Sequence, residues 1–166
     1  MTDHSDRDDK KTVLFLCTGN SCRSQMAEAF LRHMAGDRFN VVSAGLDPAA
    51  DVHPLAVRVM AEKGLDISSQ RPKSVKEYLG YKTAHVVITV CDRAAQRCPT
   101  TWPGALERHH WPFDDPAAFE GTEPARLAKF REVRDEIERK IRSWSDDGLP
   151  WHGRTTKGVR TWPAKT

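Results

Sequence analysis

The chain has 166 residues and a formal net charge of +3 at pH 7, a length that fits one domain with a buried core. The last sixteen residues contain four basic and no acidic side chains, so the remainder is nearly neutral and does not indicate a nucleic-acid partner. No run of eighteen apolar residues occurs, and the charged first ten residues lack the apolar centre of a signal peptide. We therefore expect a soluble cytoplasmic protein with no membrane partner, and we expect a monomer.

The first half of the chain alternates between strand and helix patterns. Val13–Leu16 is a continuous apolar run, typical of a strand buried in a parallel sheet. Apolar residues then recur at helical spacing from Met26 to Met34, with a glycine stop two residues later. Val41–Ser43 is predicted as a second short strand, and Pro54–Lys63 as a helix that has proline at its start and glycine directly after it.

The second half continues the alternation. Ser74–Glu77 has the form of a capping box that opens a short helix, and His85–Val90 is a β-branched strand that ends at Cys91. Residues Cys91–Pro99 are predicted as one or two helical turns that proline interrupts. Such a short helix can unwind at small cost, which would let its cysteines move.

A fourth strand is predicted at Glu107–Trp111, and Pro112–Pro116 is predicted as a loop. A long helix follows from Thr122, with an apolar face made of Leu127, Phe130, Val133, Ile137, Ile141 and Trp144. The whole pattern predicts a single α/β domain with a four-stranded parallel sheet flanked by helices. We assign residues 1–10 to a flexible leader, 11–147 to this domain and 148–166 to a basic, disordered tail.

The residues Cys17–Ser24 (CTGNSCRS), here called the anion loop, lie between the first strand and the first helix. Small residues can turn their backbone N–H groups inward, and a helix N-terminus adds partial positive charge, so the loop can hold a tetrahedral anion. Arg23 would clamp two of its oxygens, and the same field would lower the pKa of Cys17 so that its thiolate attacks. Ser24 would donate a hydrogen bond to that thiolate. A buried cysteine beside a solvated arginine explains this spacing less well.

A thiolate that attacks such an anion needs an acid to protonate the departing oxygen. Asp115, directly before Pro116, is the first candidate, and Asp114 competes with it. Either aspartate could instead cap a turn, as aspartates before proline often do.

The anion loop together with Asp115-Pro116 resembles the low-molecular-weight tyrosine phosphatase superfamily. The pair Cys91 and Cys98, with six residues between them, resembles its thioredoxin-coupled arsenate reductase branch. The likeness covers about residues 11–145. It implies the corresponding fold, no cofactor and no resident metal, with arsenate as substrate and thioredoxin as reductant. The oxyanion-binding residues that it implies are Thr18, Gly19, Asn20, Ser21, Cys22, Arg23 and Ser24.

The resemblance also implies a relay of three cysteines. Cys17 attacks arsenate, Asp115 protonates the leaving oxygen, and Cys91 attacks the Cys17 sulfur, which releases arsenite and leaves a Cys17–Cys91 disulfide. Cys98 then attacks Cys91, and thioredoxin reduces the resulting Cys91–Cys98 disulfide. Cys22 has no step in this relay, and we interpret it as a packing residue in preference to an auxiliary thiol.

Some members of that family bind a monovalent cation behind the loop. Asn20, Glu28 and Ser43 match three residues of that site, whereas the fourth position, an acid in those members, falls at Lys73. We therefore expect an ammonium group to take the place of the cation.

Two other functions compete with this interpretation. A tyrosine phosphatase would use the same nucleophile, but this family's phosphatases place aromatic residues where Leu46–Ala49 and Ala117–Ala118 stand here. A metal-binding module would use Cys91 and Cys98 with His109 and His110. The wide cysteine spacing disfavours it, and so does the opposite direction of adjacent side chains on a strand.

Overall fold

A computed structural model describes residues 10–79, 83–92, 94 and 105–147. Four parallel strands form one sheet in the order β2-β1-β3-β4: β1 (Lys11–Cys17), β2 (Phe39–Gly45), β3 (Val86–Thr89) and β4 (Glu107–His110). The described ranges contain three helices of eight or more residues beside it: α1 (Arg23–Ala35), α2 (Pro54–Ala61) and α3 (Glu123–Asp146). The predicted single-domain α/β fold with a four-stranded parallel sheet is confirmed. The predicted tail, all of the leader except Lys10, and Cys98 lie outside the described residues, so the domain boundaries stay predictions.

The central strand β1 determines where the chemically important residues lie. Its residues Val13–Leu16 are fully buried, because strands pair on both edges and helices cover the sheet. The register pairs Cys17 with Gly45 of β2 and Leu16 with Thr89 of β3. The ends of β1 and β3 therefore reach the same edge of the sheet, which is where ligands bind in open parallel sheets.

The helices agree with the sequence patterns in kind and differ in their bounds. Helix α1 already begins at Arg23, inside the anion loop, while α2 ends at Ala61, earlier than predicted. The short helix predicted after Ser74 is a single 3-10 turn at Val75–Glu77, and the Ser74 side chain accepts a hydrogen bond from the Lys76 N–H. This is one residue earlier than a capping box requires, because a 3-10 turn is tighter than an α-helical one.

Helix α3 packs against both α1 and α2. Its N-cap is Thr122, as the sequence predicts, and every apolar residue of the predicted face is buried. Arg134 joins α3 to the end of α2, since its guanidinium donates to Val59 O at 3.0 Å and to Glu62 Oε1 at 2.7 Å. None of the helices in the described part of the chain combines the length and the apolar composition that crossing a membrane requires.

Candidate active site

The anion loop turns sharply between β1 and α1. Asn20 adopts a positive φ of 50°, a left-handed conformation that asparagine tolerates better than most residues. This turn directs the Asn20 backbone N–H at Cys17 Sγ, 3.0 Å away. The loop therefore wraps around the cysteine sulfur and does not extend away from it.

Residues Leu46–His53, here called the strap, follow β2 and hold the loop from outside. Backbone N–H groups of the strap donate to loop carbonyl oxygens at 2.9–3.1 Å. The donors are Leu46, Asp47, Ala49 and His53, and the acceptors are Cys17, Thr18, Gly19 and Ser21 in that order. Because these carbonyl groups are bound on the strap side, the amide edge of the loop is available to an anion.

Gly45 allows this close approach. A Cβ atom at this position would lie 2.6 Å from Thr18 O and 3.0 Å from Asn20 Cβ. Only a residue without a side chain fits between β2 and the loop.

The Asn20 side chain supports the loop from behind and is fully buried. Its amide nitrogen donates to Ser24 Oγ at 2.7 Å and to Ser43 Oγ at 2.9 Å. Its carbonyl oxygen accepts from the Lys73 backbone N–H at 2.9 Å and from Gln25 Nε2 at 3.0 Å. These bonds connect the loop to β2, to α1 and to the segment before the 3-10 turn.

Cys17 Sγ lies 2.8 Å from Ser24 Oγ, as the sequence predicts, but the prediction of a lowered pKa is wrong. Burial raises the pKa of Cys17 above its usual value, and the hydrogen bonds from Ser24 and from the Asn20 N–H only partly oppose this effect. Arg23 contributes less to lowering the pKa than either bond. Its guanidinium is directed at another partner, the Phe113 carbonyl oxygen, at 3.0 Å.

A cavity of about 400 Å³ opens beside Cys17. Its lining brings together residues from three strand ends: Cys17, Thr18, Gly19, Ser21, Cys22, Arg23, Cys91, Asp92, Asp115 and Ala117. Five of the seven predicted oxyanion-binding residues lie on this wall. The other two, Asn20 and Ser24, are buried behind the loop.

The two candidate acids have different surroundings. Asp115 lines the cavity, lies 3.7 Å from Arg23 Nη2, and accepts a hydrogen bond from the Ala117 N–H with its other oxygen. Asp114 is an exposed residue whose carboxylate pairs with Lys129 Nζ at 2.9 Å, and that hydrogen bond lowers the pKa of Asp114. The geometry therefore favours Asp115 as the proton donor.

Cys91 is buried on the cavity wall, two residues beyond β3. Its sulfur lies 3.4 Å from Thr18 Oγ1 and accepts from the Ala94 N–H at 3.4 Å. Asp92 and Ala94 have helical backbone, so Cys91 occupies the position of an N-cap. Cys17 and Cys91 thus share one cavity, and both are free thiols.

Cys22 contributes its buried thiol to the same wall, 3.7 Å from Ser21 Oγ. Burial raises the pKa of Cys22 to about 12, so this thiol stays protonated at neutral pH. It is therefore a poor nucleophile.

The two adjacent histidines of β4 have separate surroundings. The side chain of His109 is buried against Trp111 and Trp144, with Nε2 at 2.8 Å from Glu107. His110 is exposed and faces Asp92. Within the described ranges, no group of three or more His, Cys, Asp or Glu side chains is arranged to hold a metal ion.

Some functional contacts were not visible in the sequence. Gln25 and the strap carry no recognisable motif. The Gln25 side chain donates to the carbonyl oxygens of Asn20 and Arg71, and the strap acts through backbone N–H groups whose loop partners are distant in sequence. The cavity position of Asp92 could have been inferred, since it follows Cys91 directly.

Comparison with known proteins agrees with this geometry. Residues 12–149 match the family described as low molecular weight phosphotyrosine protein phosphatase. An arsenate reductase of Halalkalibacterium halodurans is 49% identical over 139 residues, which cover 84% of this chain and 98% of that protein.

Solved structures show the same fold. An arsenate reductase in its phosphate binding state has a TM-score of 0.70 and 31% identity, covering 82% of this chain and 98% of the other. A thioredoxin-dependent arsenate reductase of Corynebacterium glutamicum has a TM-score of 0.65 and 31% identity, covering 83% of this chain and 61% of the other.

The Ser24 contact generates a prediction about pH. Ser24→Ala removes the strongest group that lowers the pKa of Cys17, so the pKa rises further and less thiolate is present at a given pH. We expect the rate of Cys17 alkylation by iodoacetamide, followed by peptide mass spectrometry, to shift to higher pH. Ser24→Thr keeps the hydroxyl and is the matched control. A Ser24→Ala profile at unchanged or lower pH would contradict this account.

Proposed function

Because the chain belongs to the low molecular weight phosphotyrosine protein phosphatase family, we propose that it uses the family's nucleophile to reduce arsenate to arsenite. The observation that carries the proposal is the shared cavity, in which Cys91 lies on the same wall as Cys17, Arg23 and Asp115. A hydrolase needs a nucleophile and an acid, whereas a second thiol is needed for reduction. The similarity to arsenate reductases supports the same substrate.

In the first step, Cys17 has lost its proton, and its thiolate, which accepts hydrogen bonds from Ser24 Oγ and the Asn20 N–H, attacks arsenic while arsenate is held by the amide edge of the loop and by Arg23. For this, Arg23 exchanges its contact with Phe113 O for oxygens of the anion. Asp115 gives its proton to the departing oxygen, which leaves as water. The product is arsenic(V) bound to the Cys17 sulfur.

In the second step, the Cys91 thiolate attacks the Cys17 sulfur. A disulfide forms, the sulfur–arsenic bond breaks, and its electron pair stays on arsenic, which leaves as arsenite. The Thr18 hydroxyl and the Ala94 N–H lie 3.4 Å from the Cys91 sulfur and hold it at the cavity.

In the third step, Cys98 attacks Cys91, which returns Cys17 as a thiolate and leaves a Cys91–Cys98 disulfide. A dithiol reductant then supplies two electrons, and we propose thioredoxin, as in the Corynebacterium glutamicum relative. The relay needs its three cysteines as thiols at the start of each cycle, so we place the reaction in a reducing compartment, the cytoplasm.

We further propose that Lys73 replaces a monovalent cation behind the loop. The Lys73 ammonium lies 4.0 Å from Glu28 Oε1 and donates to the Arg71 carbonyl oxygen at 3.0 Å. Burial lowers the pKa of Lys73, and the Glu28 carboxylate opposes that change. Arg32 Nη2 already pairs with the same Glu28 oxygen at 3.0 Å, so the ammonium group adds a second positive charge at the carboxylate beside which a cation would bind.

This role for Lys73 predicts indifference to potassium. The wild-type unfolding temperature and turnover should be the same in potassium and sodium chloride of equal concentration, while Lys73→Ala should unfold at lower temperature. Lys76→Ala, at an exposed neighbouring lysine, is the control. A rise in wild-type stability or rate that is specific to potassium would refute the proposal.

The assignment of the acid is tested by two neighbouring variants. We expect Asp115→Asn to slow arsenate reduction by roughly 10²- to 10⁴-fold, the usual contribution of a general acid, with the unfolding temperature preserved. Asp114→Asn loses only an exposed pair with Lys129 and should remain close to wild type. The reverse order of effects would assign the proton donor to Asp114.

The relay is tested by removing its resolving cysteines singly. Cys91→Ser and Cys98→Ser should each keep weak aryl-phosphate hydrolysis, which needs only Cys17, Arg23 and Asp115, and should lose multiple-turnover arsenate reduction. Cys98→Ser should still release one arsenite and trap a Cys17–Cys91 disulfide, which intact-protein and peptide mass spectrometry detect after one equivalent of arsenate. Cys91→Ser should release no arsenite and should form no Cys17–Cys91 disulfide.

Cys22→Ser is the matched control for these variants, because Cys22 lines the same cavity without a step in the relay. Normal turnover of Cys98→Ser with thioredoxin would eliminate the third step.

A further inference from the structure

A hydrogen-bonded cluster lies beside Cys91 at the edge of β3 and β4. Thr89 and His110 are register partners in these strands, and Thr89 Oγ1 lies 2.9 Å from His110 Nδ1. On the other side of the ring, His110 Nε2 lies 3.1 Å from Asp92 Oδ1. The imidazole therefore bridges the sheet to the residue that follows Cys91.

The direction of these hydrogen bonds follows from the available protons. Thr89 Oγ1 also lies 3.3 Å from His109 O, a carbonyl oxygen that can only accept. If Thr89 donates to that carbonyl, His110 must donate from Nδ1, and a protonated ring also donates from Nε2 to Asp92. If the ring is neutral, Thr89 can donate to Nδ1 while Nε2 still donates to Asp92. The contact with Asp92 is compatible with both charge states.

Asp92 follows Cys91 directly in the sequence and lines the same cavity. Its side chain is 79% exposed yet also lines the cavity, and its backbone belongs to the helical turn whose Ala94 N–H contacts the Cys91 sulfur. The contact with His110 ties this turn to β4.

We propose that His110 is a positioning residue for the resolving step and acts through Asp92; this inference rests on the proposed arsenate reduction. By holding Asp92 towards β4, His110 keeps the Cys91 sulfur beside Thr18 and Ala94. The nucleophile itself does not use this contact, because the Cys17 sulfur is hydrogen-bonded to Ser24 Oγ and the Asn20 N–H, which lie on the loop. His110 therefore affects the release of arsenite and not the first attack.

The test compares His110→Ala, Asp92→Ala and the double variant with wild type. His33→Ala is the matched control, since His33 is an exposed histidine near the far end of α1. One measurement is the rate of arsenite release in a single turnover of the reduced full-length enzyme without thioredoxin. The other is the rate of Cys91 alkylation by iodoacetamide without arsenate, followed by peptide mass spectrometry.

We expect each single variant to slow arsenite release by about two- to fivefold, the effect of losing one exposed ion pair. The double variant should be no slower than Asp92→Ala alone, because the two residues act as one unit. Cys91 should be alkylated faster in all three variants, while the aryl-phosphate hydrolysis and the unfolding temperature of His110→Ala stay at the wild-type level.

Two results would overturn the inference while leaving arsenate reduction intact. In one, His110→Ala matches His33→Ala in both measurements. In the other, the effects of His110→Ala and Asp92→Ala add in the double variant. If the wild type itself releases no arsenite, the proposed function fails and the role of His110 in resolution fails with it.

Discussion

The set of hydrogen bonds from the strap to the anion loop is the constraint on which the site depends. Four backbone carbonyl groups of the loop bind N–H groups of Leu46–His53, so the opposite, amide edge can face the cavity. Gly45 permits the contact, and the buried Asn20 side chain holds the loop from the other side. An anion can therefore be bound by backbone groups that are already in place, with little reorganisation when it arrives.

The proposed relay needs a fixed nucleophile and a resolving thiol that can move. Cys17 is buried in the rigid loop, where burial raises its pKa and the bonds from Ser24 and the Asn20 N–H limit that rise. Cys91 lines the same cavity at the start of a short helical turn, and its sulfur lies beside Thr18 Oγ1. This division suits a nucleophile that must be placed precisely and a resolving thiol that must travel. It also fits the buried Cys22, whose thiol stays protonated and does not compete.

Local patterns in the sequence predicted the fold and most of the cavity wall. Alternating strands and helices placed Cys17, Cys91 and Asp115 at one sheet edge, because strand ends in a parallel sheet converge. The pKa of Cys17 could not be predicted, since it depends on how deeply the tertiary structure buries the sulfur and on where Arg23 points. The strap and the His110–Asp92 contact also remained hidden, because they join residues that no spacing rule relates.

The central claim is that this anion loop serves reduction and passes its oxidising equivalents to a dithiol partner. Arsenate-dependent oxidation of NADPH measures this most directly, with the purified enzyme coupled either to thioredoxin and thioredoxin reductase or to glutathione, glutaredoxin and glutathione reductase. We predict sustained turnover with the thioredoxin system and little with glutathione. Turnover with the glutathione system alone would contradict the account after its second step, and turnover with neither system would contradict the claim of arsenate reduction.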